Sequence, residues 1–166
     1  MKRLTLVRHA QAEAGHPGQS DFERMLTRRG TEDAAEMARR LKARKAHVNF
    51  IVSSTAPRAF TTAELFARTL KVSPSSIDKD DRLYTAGPNE FLTVLRELDS
   101  AHEHVLITAH NPGITEFADK LSSERRIDAM PTCAMATMQF DIVNWSDLRW
   151  RAGTGVDLDY PARQEE

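Results

Sequence analysis

Three short apolar runs interrupt an otherwise mixed sequence, and each of them stops abruptly at polar residues. They lie at residues 4–7, 48–53 and 104–109. Their length and their content of β-branched residues predict buried β-strands. Each run is followed by a segment in which apolar residues recur three, four and seven positions apart, which predicts an amphipathic helix. This alternation of strand and helix indicates an α/β fold with a mostly parallel sheet and helices on both faces.

Two of the predicted helices begin with a recognisable signal. Thr27 is a candidate N-cap for a first helix that extends to about Arg44. Pro57 suits the first turn of the next helix, where its missing N–H group costs nothing. A third helix is predicted to begin near Glu90, and a fourth follows the turn at residues 110–113.

The C-terminal third has a different pattern, in which apolar and polar residues alternate. Residues 134–142 form one alternating segment, residues 145–147 suggest a turn, and Leu148, Trp150 and Ala152 alternate afterwards. This pattern predicts an antiparallel hairpin at the edge of the sheet. We therefore expect a three-layer α/β/α architecture with a mostly parallel central sheet and an antiparallel C-terminal edge hairpin. Residues 1–158 should form a single domain, followed by a frayed tail over residues 159–166.

The candidate chemistry lies where the strands end. Arg8 and His9 follow the first strand directly, Arg58 lies just beyond the second, and His110 follows the third. The carboxyl ends of parallel strands share one edge of the sheet, and ligands of open α/β sheets bind there. Four potential cations in one place would repel each other unless an anion binds between them. Because arginine forks bind phosphate oxygens bidentately, the sequence predicts a phosphoryl site.

The same residues suggest a division of roles. A histidine next to two arginines has its protonated form disfavoured, which leaves a ring nitrogen of His9 available as a nucleophile. Phosphoryl transfer requires mainly positioning and charge neutralisation, which Arg8, Arg58 and His110 could supply. Arg24 precedes the first helix and is a further candidate for contact with the anion.

Composition and charge further limit the classes of partner and site that the chain could have. The chain has 166 residues, 23 Lys and Arg against 24 Asp and Glu, and a formal net charge of -1. This balance argues against a nucleic-acid partner, and no apolar run is long enough to cross a membrane. The single cysteine, Cys133, excludes an internal disulfide and a Cys-rich zinc site. We expect a cytoplasmic protein, and the absence of a coiled-coil seam favours a monomer.

Three segments together resemble the signature of the histidine phosphatase (phosphoglycerate mutase-like) superfamily. They are residues 6–10 (LVRHA), 53–63 (SSTAPRAFTTA) and 109–113 (AHNPG). The short chain, the R-H-A sequence and the H-N-P-G turn are similar to the SixA-type phosphohistidine phosphatase branch. The resemblance implies a phosphohistidine intermediate on His9, phosphate contacts from Arg8, Arg58 and His110, and neither a metal nor another cofactor.

One departure from the family pattern bears on the substrate. Larger members carry a glutamate acid between the second and third segments, where this chain has Tyr84-Thr85-Ala86-Gly87 and no carboxylate before Glu90. An alkoxide leaves poorly without a proton donor, whereas the nitrogen of a phosphoramidate can leave already protonated. The expected substrate is therefore phosphohistidine on a protein, such as a histidine phosphotransfer partner, or a related small phosphoramidate. Arg24, Asn111 and Glu90 are candidates for the rim that contacts it.

Three alternatives stay open at this level. The chain could be a broad small-molecule phosphomonoesterase that uses Glu90 or Glu13 as its acid, or a non-catalytic module that binds phosphorylated partners in the same pocket. A metal site built from His9, His110 and His16 is a third possibility, although the neighbouring arginines disfavour a cation.

Overall fold

A single six-stranded sheet runs through residues 1–162, which are the residues that the computed structural model describes. The strand order is β3-β2-β4-β1-β5-β6. The strands are β1 (Lys2–Arg8), β2 (Phe50–Ser53), β3 (Asp78–Lys79), β4 (His104–Ala109), β5 (Met135–Phe140) and β6 (Thr154–Asp159). The first four are mutually parallel, whereas β5 and β6 are antiparallel to their neighbours.

Four helices cover the two faces of this sheet. They are α1 (Arg28–Ala43), α2 (Pro57–Leu70), α3 (Pro88–Arg96) and α4 (Gly113–Leu121). Thr27 caps α1 as predicted, because its hydroxyl oxygen accepts the N–H group of Gly30 at 3.0 Å. The buried residues of α1 and α2 belong to one apolar cluster and those of α3 and α4 to another. These two clusters confirm the expected three-layer arrangement.

The sheet is in register where its parallel strands end. Arg8 of β1 lies opposite Ala109 of β4, and Thr108 of β4 lies opposite Ser53 of β2. The residues that follow these three strands therefore begin at the same edge, as the sequence predicted. The central strand β1 is anchored on both faces, because Leu4 and Leu6 pack in the cluster with α3 and α4 while Val7 packs with α1 and α2.

The C-terminal hairpin exists, but its second strand lies further along the chain than predicted. The returning strand is Thr154–Asp159, not the segment from residue 148 to residue 152. The segment from residue 148 to residue 152 alternates for another reason: Leu148 is buried in the apolar core, and Trp150 and Ala152 pack against the same cluster. In the predicted turn, Trp145 is also buried, and its indole N–H donates to the carbonyl oxygen of His102 at 2.7 Å. Packing against a core can thus produce the alternation that is typical of a strand.

The first residue of the predicted C-terminal tail, Asp159, is part of strand β6 and is firmly held. The tail was predicted to begin at residue 159, but Asp159 ends β6 and only 1% of it is exposed. Its carboxylate accepts hydrogen bonds from Arg40 at 3.1 Å and Arg44 at 2.6 Å, both near the end of α1. Residues 163–166 lie outside the described residues. Within residues 1–162, no helix combines the length and the apolar character needed to cross a membrane.

We expect the Asp159 carboxylate to be a strong contributor to stability. Asp159→Ala removes a buried carboxylate from the partly buried Arg40 and the more exposed Arg44, and should lower the free energy of unfolding by about 1.5–3 kcal/mol, as expected for hydrogen bonds to a charged group. Asp128→Ala removes an exposed pair with Arg126 and should cost less than about 1 kcal/mol. Urea unfolding of both variants measures the difference, and equal losses would contradict the assigned role of Asp159.

Candidate active site

The backbone of residues 8 and 9 is held from both sides by the neighbouring strands. The Arg8 N–H group donates to the carbonyl of Ala134, and the His9 N–H group donates to the carbonyl of Ala109. The N–H group of Cys133 donates to the carbonyls of both Arg8 and His9, at 3.1 and 3.0 Å. The position of His9 is therefore set by the middle of the sheet and not by a loop. Cys133 itself is fully buried, and burial raises the pKa of its thiol.

The imidazole of His9 is oriented by its own chain. Its Nδ1 lies 2.7 Å from the carbonyl oxygen of Ala10. A carbonyl oxygen only accepts, so Nδ1 must carry the proton and Nε2 keeps its lone pair. Burial lowers the pKa of His9 to about 4, against the hydrogen bond to Ala10, and the charges of Arg58, Arg8 and Arg24 lower it further. His9 is therefore a neutral imidazole with Nε2 available as a nucleophile at neutral pH.

Two arginines place buried N–H donors in this region without a protein partner. Arg58 is 5% exposed and Arg8 is half-buried. The Nε atoms of both side chains are buried and have no hydrogen-bond partner within residues 1–162. Burying a donor of this kind without a partner is costly, because the group loses its hydrogen bonds to water. A bound anion would supply the missing acceptors.

His110 contributes a third unpaired nitrogen. Its ring lies 5.2 Å from the ring of His9, centroid to centroid, and its Nε2 is 2.8 Å from the hydroxyl oxygen of Ser54. That oxygen also accepts the N–H group of Ala56, and among the described residues Nε2 of His110 is the one acceptor for its proton, so we assign the donor role to the hydroxyl. Nδ1 of His110 then carries a proton, and it is buried without a partner in the described residues. Burial lowers the pKa of His110 to about 3, and the charge of His9 adds to this effect.

The structure thus brings together the four residues that the sequence selected: Arg8, His9, Arg58 and His110. His9 lies close to the His110 ring and within reach of the charges of Arg8 and Arg58. Each of these three neighbours has a buried side-chain nitrogen without a hydrogen-bond partner in residues 1–162. The arrangement suits an anion with several oxygen atoms, and phosphoryl groups offer those oxygens.

The three predicted rim residues differ in their positions. Arg24 donates to the carbonyl of Glu13 at 2.6 Å and to Asp21 at 2.8 Å. Asn111 lines the adjoining cavity and donates to the carbonyl of Met130. Glu90 is exposed at the start of α3, and no hydrogen bond joins it to another described residue of the site.

Two residues of the site were missed by the sequence reasoning, Asp21 and Tyr84. The Tyr84 hydroxyl donates to the Asp21 carboxylate at 2.7 Å, and Nη2 of Arg58 donates to the same oxygen at 2.9 Å. The Tyr84 ring also meets the His110 ring edge-on, with centroids 5.4 Å apart. Hydrogen bonds from Tyr84, Arg24 and Arg58 hold the pKa of Asp21 well below its usual range. Nothing in the sequence marks Asp21, which lies in a polar loop, whereas Tyr84 falls at the slot of the family's acid.

A cavity of about 440 Å³ opens beside His110 and offers room for the rest of a substrate. Its lining includes Asp21, Arg58 and Tyr84, together with residues 85–87, which meet the start of α4. Gly113 permits that meeting, since a Cβ atom there would lie 1.8 Å from the carbonyl oxygen of Ala86. Within residues 1–162, no group of three or more His, Cys, Asp or Glu side chains is arranged to hold a metal ion.

The comparison with known families agrees with this geometry. The model of the histidine phosphatase superfamily (branch 1) matches residues 4–85, which include Arg8, His9 and Arg58. The chain belongs to the histidine phosphatase superfamily. No curated protein is similar enough in sequence to count as a match.

Solved structures extend the likeness over nearly the whole chain. The protein assigned as phosphohistidine phosphatase SixA from Agrobacterium tumefaciens is 26% identical, with a TM-score of 0.77 over 93% of this chain and 96% of that one. Protein histidine phosphatase SixA in complex with tungstate is 23% identical, with a TM-score of 0.75 over 96% and 97%. A mycobacterial glucosyl-3-phosphoglycerate phosphatase is 17% identical, with a TM-score of 0.68 over 96% and 98%. The fold is therefore shared by proteins named for protein and for small-molecule substrates.

We expect the neutral site histidines to make the fold sensitive to acid. In the unfolded chain His110 binds a proton near its ordinary pKa of 6.5, whereas in the folded chain it does so only near 3. The unfolded state binds more protons between these values, so stability falls as pH decreases from about 6.5. His110→Gln should make this fall shallower, and His16→Gln, at an exposed loop position, should leave it unchanged. Thermal unfolding midpoints between pH 8 and 4 test this, and equal slopes for all three proteins would contradict it.

The hydroxyl of Ser54 should matter for activity through His110. Ser54→Ala removes the group that fixes the tautomer of His110, and should lower kcat/KM by about 10-fold if outer hydrogen bonds act here as they do around metal-bound histidines. Ser53→Ala is the matched control, because Ser53 is equally buried but donates to the Ser54 carbonyl and does not contact His110. Steady-state assays on phosphoramidate distinguish the two, and a similar loss in both variants would point to general damage of the strand end.

Proposed function

We propose that the chain hydrolyses phosphohistidine on a protein, or a related phosphoramidate, through a covalent phosphohistidine intermediate on His9. The observation that carries this proposal is the protonation state of His9. Its Nδ1 proton is committed to the Ala10 carbonyl, so Nε2 is left with a lone pair next to buried arginine donors. Membership in the histidine phosphatase superfamily supports phosphatase activity in general.

The first step transfers the phosphoryl group to the enzyme. Nε2 of His9 attacks phosphorus, the P–Nε2 bond forms, and the P–N bond to the substrate breaks. The substrate's imidazole ring is already protonated on its other nitrogen, and it therefore leaves as a neutral ring. The Nε–H groups of Arg8 and Arg58, and Nδ1–H of His110, would hold the phosphoryl oxygens during the transfer.

The second step returns the enzyme to its starting state. Phosphorylated His9 carries a positively charged ring because Nδ1 keeps its proton, and the hydrogen bond to Ala10 stabilises that ring. Water attacks phosphorus, the P–Nε2 bond breaks, and dihydrogen phosphate leaves with both protons of the water molecule. His9 is again neutral, with its proton on Nδ1.

The protonation states of the nearby acids favour an easy leaving group. Three hydrogen bonds hold Asp21 in its ionised form, and the bond to Asp21 raises the pKa of Tyr84 above its usual value. Neither group is suited to deliver a proton to an alkoxide at neutral pH. A phosphoramidate does not need that proton. A substrate of this kind agrees with the names of the two similar SixA structures, phosphohistidine phosphatase and protein histidine phosphatase.

Three further expectations belong to this proposal. The reaction needs no metal, because the positive charges of Arg8, Arg58 and Arg24 already neutralise the negative phosphoryl group and would repel a cation. The phosphorylated partner is a protein of the histidine phosphotransfer type or a small phosphoramidate. The protein acts as a monomer in the cytoplasm.

Trapping of the phosphoenzyme tests the proposal directly. Brief exposure to labelled phosphoramidate followed by a quench should give a labelled protein that is stable to alkali and labile to acid. His9→Ala should abolish the label, whereas His16→Ala, at an exposed loop position, should retain it. Phosphate-dependent binding without label or turnover would identify a binding module instead.

A comparison of leaving groups belongs to the same experiment. Turnover of phosphohistidine should exceed turnover of simple alkyl phosphates, and added chelator should leave it unchanged. Faster turnover of alkyl phosphates, together with a large loss in Glu90→Gln, would favour the small-molecule phosphomonoesterase. A loss of activity with chelator would favour the alternative of a metal site.

A further inference from the structure

Asp21 makes most of the contacts between one loop and the side chain of Arg58. The loop spans residues 10–27 and is closed at its base, where the N–H groups of Glu13 and Thr27 donate to the carbonyls of Met25 and Gln11. Asp21 begins a short 3-10 turn at its far end. From there one aspartate reaches Arg58, Arg24 and Tyr84.

The contacts with Arg58 are specific to two of its three nitrogens. Nη1 donates to the main-chain carbonyl of Asp21 at 2.7 Å, and Nη2 donates to its carboxylate at 2.9 Å. Nε is the remaining nitrogen, and it is the one that is buried without a partner in the described part of the chain. Both outer nitrogens are therefore fixed by a single residue, and the unused N–H group lies on the other edge of the guanidinium.

We propose that Asp21 is a positioning residue that holds the guanidinium of Arg58 so that its Nε–H group is presented to the phosphoryl group, an inference that rests on the proposed function. A planar guanidinium with two of its nitrogens fixed has one orientation, and pre-set donors stabilise charge in the transition state without reorganisation. Tyr84 secures the carboxylate from the other side, because its hydroxyl donates to the same oxygen that accepts Nη2 of Arg58.

The balance of charges in the site is consistent with an Asp21 that remains bound to Arg58 when substrate binds. Arg8, Arg58 and Arg24 carry three positive charges, and the ionised Asp21 removes one of them. With neutral histidines, the remaining charge of two matches a phosphoryl group that carries two negative charges. Asp21 therefore completes the site and does not need to be displaced by the substrate.

A double-mutant cycle tests whether Asp21 acts through Arg58. The proteins are wild type, Asp21→Ala, Arg58→Ala and the double variant, and the probe is tungstate, whose binding is measured by calorimetry. Asp21→Ala should weaken tungstate binding by about 5- to 20-fold in the wild-type background, because the orientation of Arg58 is lost. In the Arg58→Ala background the same change should have less than about a 2-fold effect.

Two further variants make the result specific. Asp21→Asn keeps an oxygen that can accept from Nη2, and should fall between wild type and Asp21→Ala. Glu97→Gln is the matched control, because Glu97 is exposed to a similar extent and also binds an arginine, Arg82, at 3.0 and 2.8 Å away from the site. It should leave tungstate binding unchanged. If Arg58→Ala abolishes measurable binding, Arg58→Lys replaces it in the cycle, since lysine has no Nε–H fork.

The outcomes separate the possible roles of Asp21. Equal losses from Asp21→Ala in both backgrounds would mean that it only stabilises the loop, and tighter binding of tungstate in Asp21→Ala would mean that its carboxylate competes with the anion. Either result, or no change at all, overturns the proposal. A wild-type protein that binds tungstate but does not turn over phosphohistidine would refute the proposed function alone, because the binding cycle would still decide the role of Asp21.

Discussion

The site depends on a small number of buried N–H groups that have no acceptor within the described residues. Two arginine Nε atoms and one imidazole Nδ1 are withdrawn from water beside His9. Such an arrangement costs stability, and it persists because the surrounding structure is rigid enough to impose it. The benefit is that the donors need not move when an anion with several oxygens binds. No binding free energy is then lost to reorganisation of the site.

Rigidity of this kind comes from the sheet. The proposed nucleophile, His9, follows the central strand β1, and residues on both sides of this strand bond to the backbone at residues 8 and 9. Arg58 and His110 reach the same place because β2 and β4 end in register with β1. The loop of residues 10–27 and the segment of residues 84–87 only complete this arrangement from outside. Precision is thus a property of the strands, and variation of substrate is left to the loops.

The features that the sequence could predict are those with a local cause. Periodicity located three of the four parallel strands and the helices that follow them. Thr27 and Pro57 marked two helix starts, and the strand ends pointed to Arg8, His9, Arg58 and His110. Asp21, Ser54 and the true position of β6 depend on contacts between distant parts of the chain. Asp21 meets Tyr84 across 63 positions, and no local pattern in a polar loop reports such a pairing. Leu148, Trp150 and Ala152 alternate because they pack in or against the core, and core packing and strand pairing can both produce alternation.

The burial of Cys133 has a practical consequence for work on this protein. Its thiol is the only one in the chain, it is fully enclosed, and its raised pKa keeps it protonated at ordinary pH. A protonated, inaccessible thiol reacts poorly with maleimides and alkylating agents. One cysteine introduced on the loop of residues 10–27 would therefore take a fluorophore or spin label selectively, without removal of the native residue. Such a label would report whether that loop moves when tungstate is added.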